Sequence, residues 1–332
     1  MSELRKNIIS RQWVIIATER ARRPHQFTRE KKVRNELPWH VPNCPFCPGN
    51  EAETPPETFR LPVAGNWRVR VVPNKFPALT AEGELVRTNI GNKRTISGVG
   101  IHEIIIETPD HNSTLALMND AEVERVIEAY LHRYHCTLAD SRAEHVTLFK
   151  NHGAAAGTSI EHPHSQIIAT PIIPGEIRER LESALQFYDE SGQCMFCATL
   201  KGEQEEGTRV VDENEQFVAF IPFAALSPFH LWIFPKRHCA AFGAINDAEG
   251  TALASILRRV LRKLYDGLGD PDYNFVIRTA PKESERLRHY HWYVTIVPRV
   301  TQTAGFELGS GMFINMALPE ESAQFLRGVV VN

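Results

Sequence analysis

The sequence predicts an α+β protein built from two similar halves, and three observations carry that expectation. Four of the six cysteines form two C-x-x-C pairs, Cys44/Cys47 and Cys194/Cys197. Each pair is followed by a lone histidine and then an H-x-H: His111 with His162/His164, and His238 with His289/His291. The interval from His111 to His162 is 51 residues, and that from His238 to His289 is again 51. Moving residues 102–171 by 127 places lays them on 229–298 without a gap, so that "NDAE" at Asn119–Glu122 meets "NDAE" at Asn246–Glu249. Two copies are too few for a solenoid and point to an ancient duplication, with two similar domains packed side by side. The expected division is 1–172 and 173–332.

Each half reads the same way from its residues. Ile104–Ile106 and Leu231–Phe234 are β-branched or aromatic runs of strand type. Asn119 and Asn246 each stand three residues before a glutamate, the pattern of a helix capping box. The helix that follows carries Val123, Val126, Ile127, Tyr130, Leu131 and Tyr134 on one face, and its counterpart carries Leu253, Ile256, Leu257, Val260, Leu261 and Leu264. Two more strands follow in each half, "HVTLFK" and "HSQIIAT", then "YNFVIR" and "HWYVTIV". Antiparallel strands with a helix laid on the face make the α+β class. Glu176–Tyr188 reads as a linking helix, residues 201–209 as a polar loop, and Cys136 as a core residue of the first helix.

Composition narrows the functional classes. A formal net charge of −3 gives no bulk attraction to nucleic acid or an anionic membrane. No run of 18 apolar residues is present, and "MSELRKNIIS" lacks the apolar core of a signal peptide. A cytoplasmic location is therefore expected, where thiols serve as ligands or core residues more often than as disulfides. A zinc module binding nucleic acid is disfavoured by that charge and by the 64 residues from Cys47 to His111, far beyond a finger linker.

C-x-x-C offers two thiolates from one tight turn, and two histidines complete a tetrahedral shell. One bare pair also fits a redox or buried site, but two pairs in matching register favour metal. The expected ligands are Cys44, Cys47, His111 and His162 at one site, and Cys194, Cys197, His238 and His289 at the other. Closed shells of this kind are structural. At the second, Cys239 directly follows His238 and offers a further thiol.

If His162 is a ligand, His164 is spare. Residues two apart on a strand project to the same side, about 6.6–6.8 Å from each other. The approach, "KNHGAAAGTS" from Lys150 to Ser159, is small and polar. Gly153 and Gly157 permit close approach by a ligand, and Asn151 and Ser159 offer donors. Backbone amides there can cradle phosphate, an unprotonated His164 can attack phosphorus, and Gln166 on the same side can steady the developing charge.

H-x-H-x-Q after a glycine-rich approach, with C-x-x-C and D-H upstream, resembles the galactose-1-phosphate uridylyltransferase family of the histidine-triad superfamily. The likeness spans nearly the whole chain and implies two tandem histidine-triad-like domains. "RQWVIIATERARRP" is similar to that family's nucleotide-binding segment, which implies Arg20 and Arg23 near the phosphates. "VVPNKFPAL" looks like its uracil-side segment, with Asn74 the matching residue, and "NHGAAAGTSIEHPHSQ" matches the active-site stretch with Asn151, Gly157, Ser159, His164 and Gln166. The family glycine between the second histidine and the glutamine is Ser165 here.

The resemblance implies a two-step exchange through a uridylyl-histidine on His164: UDP-glucose gives up glucose 1-phosphate, and a hexose 1-phosphate such as galactose 1-phosphate takes the uridylyl group. Ser159 would hold the leaving phosphate and Gln166 the intermediate. It further implies zinc, with the second metal zinc or iron, and a homodimer. Adenylyl transfer, as in an ADP-glucose phosphorylase, and a histidine-triad nucleotide hydrolase remain as alternatives. By the 127-residue shift, Arg278 falls at the place of Asn151 and Tyr293 at that of Gln166, so one active site per chain is expected, in the first half.

Overall fold

The structure is a computed structural model that describes residues 2–17, 24–27 and 37–331. The first-half strands are β1 (Glu3–Lys6), β2 (Trp13–Ile16), β3 (Phe59–Leu61), β4 (Val69–Pro73), β5 (Arg87–Ile90), β6 (Lys93–Ile96), β7 (Ile101–Ile106), β8 (His145–His152) and β9 (His164–Thr170). Those of the second are β10 (Val210–Glu213), β11 (Phe217–Phe220), β12 (Leu231–Pro235), β13 (Tyr273–Arg278), β14 (Tyr293–Pro298) and β15 (Phe313–Asn315). The helices are α1 (Asp120–Leu138), α2 (Gly175–Ser191), α3 (Met195–Glu206), α4 (Asp247–Leu268), α5 (Gly305–Ser310) and α6 (Pro319–Gly328).

Ten strands form one antiparallel sheet in the order β10-β11-β12-β14-β13-β8-β9-β7-β4-β3. The halves join where β8 pairs with β13, and Phe149 stands opposite Val276. The 127-residue shift carries Phe149 onto Val276, so this pair lies on the internal pseudo-two-fold axis. The duplicated halves therefore share one sheet through their central strands. A smaller sheet brings β15 alongside β2 in parallel, tying the C-terminal segment to the N-terminal hairpin.

Alternation along the strands explains both faces of the large sheet. Ile105, Phe217, Ala219, Leu231 and Ile233 point to the face covered by α1 and α4, within one large apolar core. Their neighbours point the other way into two smaller cores. Ile104 and Ile106 pack with Cys44, Cys47, Phe46 and Trp67, and Val218, Phe220, Trp232 and Phe234 pack with Cys194, Phe196 and Tyr290. Each C-x-x-C thus sits over its own half of the sheet. On the opposite face, Arg133 of α1 holds Glu103 of β7 through two bonds of 2.8 Å, a buried ion pair that fixes helix to strand.

Both expected capping boxes are formed. Asn119 accepts from Glu122 N and Asn246 from Glu249 N, while each glutamate side chain returns to its cap's backbone N–H. Two expectations are corrected. Residues 201–206 are helical, ending at Gly207 in the left-handed conformation. Lys, Gln and Glu are good helix formers, and their polarity marks an exposed face instead of a loop. Cys136 is exposed on α1 beside His132, away from the core. Among the described residues no helix is long and apolar enough to cross a membrane.

Asn119→Ala and Asn246→Ala are each expected to lower the unfolding free energy by about 1 kcal/mol, read by urea titration. No measurable change in either variant would mean that tertiary packing alone holds these helix starts.

Candidate active site and metal centres

The first candidate metal group is assembled from three separate segments. The Cys44–Cys47 turn closes through Cys47 N to Cys44 O at 3.2 Å, Asn50 Nδ2 donates to Cys44 O at 2.8 Å, and Val41 N donates to Cys47 Sγ at 3.3 Å. Amide donors directed at sulfur favour the thiolate a metal needs. Cys47 Sγ lies 3.5 Å from His111 Nδ1 and 3.6 Å from His162 Nδ1. Ligand atoms roughly 2.0–2.3 Å from a tetrahedral zinc centre stand about 3.5 Å apart, so these spacings fit. His162 Nε2 donates to Thr108 O at 2.7 Å, leaving Nδ1 as the lone-pair nitrogen. Burial pushes the Cys47 thiol up to about 11 and the His162 imidazole down to about 4. A divalent cation reverses the first effect by displacing the thiol protons, and it benefits from the second because imidazole binds metal only when neutral. All four residues are buried and their donor atoms lie within 4.8 Å of one another.

The second group holds Cys194, Cys197 and His238 within the same 4.8 Å limit. Cys197 Sγ is 3.2 Å from His238 Nδ1, and Cys239 donates elsewhere, to Ala241 O at 3.1 Å. His289, the expected fourth ligand, is not brought into this group; its ring lies 6.1 Å from that of Tyr188. Strand register gives the reason. Phe149 pairs with Gln166, but Val276, its pseudo-symmetric equivalent, pairs with Thr295. The chain from Val276 to Thr295 is two residues longer than that from Phe149 to Gln166, so beyond this connection the gap-free shift is out of step with the strands. The structural counterpart of His162 is His291, that of His164 is Tyr293, and that of Gln166 is Thr295. Ring geometry agrees: His238 and His291 stand edge to face at 5.4 Å, as His111 and His162 do at 5.3 Å. His291 Nε2 is buried without a hydrogen-bond partner.

His164 begins β9 beside the first metal group and lines a cavity of about 250 Å³ with Asn151, Gly153, Ser159 and His162. Its Nδ1 donates to His162 O at 2.8 Å, which leaves the Nε2 lone pair as the nucleophilic one. Burial lowers its pKa, keeping the ring neutral. Beneath it lies a buried network that sequence reasoning missed. Lys150 Nζ donates to His164 O at 3.1 Å and to Glu107 Oε2 at 2.6 Å. Glu107 Oε1 accepts from Ser165 Oγ at 2.5 Å and from Tyr130 OH at 2.9 Å. The Ser165 hydroxyl thus helps satisfy a carboxylate that would otherwise be costly to bury. The available signal was a charged residue within each of two apolar strand patterns.

The glycine-rich approach is held by the second half. Gly153 at φ +82° and Gly157 at φ +89° bracket a short turn over Ala154–Ala156. Ala155 N donates to Asp272 Oδ2 at 2.7 Å, so this backbone amide is committed to the protein instead of cradling phosphate. Asn274 Nδ2 donates to Asn151 Oδ1 at 2.7 Å and to Ala156 O at 2.8 Å. His152 meets Asp270 at 2.8 Å. Ser159 is exposed at the cavity wall. Gln166 lies on the His164 side of β9, where its Oε1 meets His102 Nε2 at 2.8 Å, and Asn74 is beside that same histidine. Arg20 and Arg23 lie outside the described residues.

In the second half the corresponding place is closed. Arg180 donates to the hydroxyl of Tyr293, the counterpart of His164, and to Glu176 Oε1 at 2.5 Å. Arg278 reaches the other oxygen of Glu176 at 3.2 Å. A tyrosine tied to a buried arginine replaces the imidazole, and α2 covers it.

Known proteins share this architecture. Residues 1–174 match the family model of the galactose-1-phosphate uridyl transferase N-terminal domain, and residues 180–327 match its C-terminal domain. The ADP-glucose phosphorylase of Arabidopsis thaliana is 36% identical over 332 residues, covering 98% of this chain and 93% of that protein. The galactose-1-phosphate uridylyltransferase of Thermotoga maritima is 30% identical over 337 residues, 98% of each. The crystal structure of an Arabidopsis thaliana ADP-glucose phosphorylase with bound ADP-glucose superposes with TM-score 0.83 at 32% identity over 100% of both chains. A uridylyltransferase structure gives 0.75 at 25% identity, covering 98% of this chain and 97% of that one.

A Cβ added at Gly153 would stand 2.0 Å from Asp272 Oδ1, whereas one at Gly157 meets only Asn151 Nδ2 at 4.0 Å. Gly153→Ala is therefore expected to cost about 1–3 kcal/mol and to slow turnover more than tenfold, through strain and a displaced loop. Gly157→Ala should show the smaller, conformational cost of roughly 1 kcal/mol. Equal effects in thermal unfolding and turnover would contradict the Asp272 contact.

Proposed function

This chain belongs to the galactose-1-phosphate uridylyltransferase family, and from that premise we propose that it is a nucleotidylyltransferase working through a covalent nucleotidyl-histidine on His164. The observation that carries this is the hydrogen bond from His164 Nδ1 to His162 O, which leaves Nε2 unprotonated at a cavity wall. Nε2 attacks the α-phosphorus of a nucleotide sugar, an N–P bond forms, and the P–O bond to the sugar 1-phosphate breaks. Positive charge that develops on the imidazole is met by the His162 carbonyl. An acceptor phosphate oxygen then attacks the same phosphorus, the N–P bond breaks, and the lone pair returns to Nε2.

Ser159 hydrogen-bonds the leaving phosphate, Gln166 steadies the nucleotidyl phosphoryl group, and Asn151 contacts phosphate through its amide nitrogen. Asn74 faces the nucleotide, and Arg20 and Arg23 complete the phosphate contacts. Gly157 permits close approach at the turn. The first half, 1–172, carries this site, and the second half, 173–332, supports it. Zinc at Cys44, Cys47, His111 and His162 would supply a structural crosslink and no chemistry, since that shell is closed. Cys194, Cys197 and His238 would hold zinc or iron, with His291 in place of His289 as the fourth ligand. Six unpaired thiols support a reducing, cytoplasmic setting, and a homodimer follows from the family likeness.

Two donors are compatible with this geometry. Uridylyl transfer from UDP-glucose to a hexose 1-phosphate, galactose 1-phosphate foremost, is supported by the two matching family models, which name a galactose-1-phosphate uridyl transferase. Adenylyl transfer from ADP-glucose to a sugar phosphate or orthophosphate is favoured by the 36% identity to the Arabidopsis thaliana enzyme, against 30% to the Thermotoga maritima uridylyltransferase. A matrix of UDP-glucose, UDP-galactose and ADP-glucose against hexose 1-phosphates and orthophosphate decides between them. Exchange confined to one base identifies the donor, and steady release of nucleoside monophosphate without acceptor would mean a hydrolase.

His164→Gly is expected to abolish exchange, a loss of at least ~10³-fold, while metal content stays unchanged. Cys44→Ser should lose about one metal equivalent and soften thermal unfolding. Equal metal loss in both variants, by elemental analysis, would show that the two imidazoles have been assigned the wrong way round.

A further inference from the structure

Glutamine at position 166 can present either end of its amide to a phosphoryl group, and only the N–H end helps. We propose that His102 is the positioning residue that makes this choice, an inference that rests on the reading of His164 and Gln166 above. Ala78 N donates to His102 Nδ1 at 3.0 Å. A ring nitrogen that accepts a backbone N–H carries no proton, so the proton of this imidazole sits on Nε2. Two side chains approach Nε2. Asn74 Nδ2, at 3.1 Å, is itself a donor, and its orientation is fixed because Asn74 Oδ1 accepts from Phe76 N at 2.9 Å. The remaining contact is Gln166 Oε1, at 2.8 Å, which accepts the proton.

With Oε1 engaged, the Gln166 amide nitrogen has no protein acceptor among the described residues, and it lies on the His164 side of the strand. A backbone amide in the Ala78 turn thus sets a tautomer, the tautomer sets the amide's orientation, and the amide's donors remain for the phosphoryl oxygens. The second half holds a matching pair without an amide. His230 Nε2 meets Thr295 Oγ1 at 2.8 Å, and its Nδ1 accepts from Leu226 N at 3.3 Å. Thr295 is the strand-register counterpart of Gln166. A hydroxyl rotates to suit either partner, so there the histidine selects nothing. In the catalytic half the same framework histidine faces a group whose two ends differ, and orientation becomes a catalytic variable.

The test is a double-mutant cycle on the full-length, metal-loaded protein. Single-turnover release of sugar 1-phosphate, KM and thermal midpoint are read for His102→Ala, Gln166→Ala and the double variant, with His102→Gln as the conservative replacement. Loss of one preorganised donor costs about 10²-fold. Gln166→Ala is therefore expected to slow release by ~10²-fold and His102→Ala by ~10–10²-fold at nearly constant KM, with the double variant no slower than Gln166→Ala. His102→Gln, which keeps a donor, should recover most of the rate. If His102→Ala does not fold, His102→Phe keeps the ring volume without its nitrogens and takes its place. Multiplicative losses in the double variant, an unaffected Gln166→Ala, or a rate that only follows the thermal midpoint each overturn the proposal. His164→Gly is run alongside: turnover in that variant defeats the function proposed above, whereas an inactive His164→Gly with a multiplicative cycle defeats only the role of His102.

Discussion

The hydrogen bond from the His164 ring to the His162 carbonyl joins the proposed nucleophile to the candidate metal group, and the rest of the first half is arranged around it. That carbonyl is useful only if it does not move. His162 is therefore fixed at both ring nitrogens, one towards Cys47 and the metal group and the other on Thr108. The following peptide is fixed as well, since Lys150 binds the carbonyl of His164 itself. Placing an ammonium and a carboxylate under a nucleophile is expensive unless every oxygen is satisfied. Ser165, Tyr130 and Lys150 do so for Glu107. His164 is thus held from below by a closed polar network and from beside by the Cys44–Cys47 turn and its histidines.

The second half keeps the framework of the first without the His164 imidazole, with Tyr293 in its place. Its β13 pairs with β8, and the chain leading into that strand, from Asp270 to Asn274, anchors the glycine-rich turn at His152, Ala155, Ala156 and Asn151. The two pseudo-symmetric places lie on the same face of one sheet, and the second half supports the turn of the first. Arg180 on Tyr293 and Glu176 between two arginines close the place where a second nucleophile would stand.

Much of this was legible in the sequence. The strand runs, both capping boxes, the apolar faces of α1 and α4 and the first ligand group follow from periodicity and spacing, because local rules and burial agree there. The register of β14 was not legible. H-x-H recurs at the same interval in both halves, but the chain from Val276 to its partner Thr295 is two residues longer than that from Phe149 to Gln166, so matching by interval chose His289, whereas strand register aligns His162 with His291. Pairing is set by hydrogen bonds across the sheet, which a gap-free shift does not represent. Lys150 and Glu107 drew no role from the sequence, because only the fold reveals that they satisfy one another. His102 drew no role from the sequence, because its partners Ala78, Asn74 and Gln166 come together only in the fold.

The most direct test of the account is to locate the covalent intermediate. The protein is incubated with a nucleotide sugar labelled in the α-phosphate and given no acceptor, then quenched in base to preserve a phosphoramidate, digested, and sequenced by mass spectrometry. The account predicts label on the peptide "SIEHPHSQIIAT", on His164 and not on His162, discharged when acceptor is added. Label on any other residue, or product formed in a single turnover with no labelled protein, would contradict it.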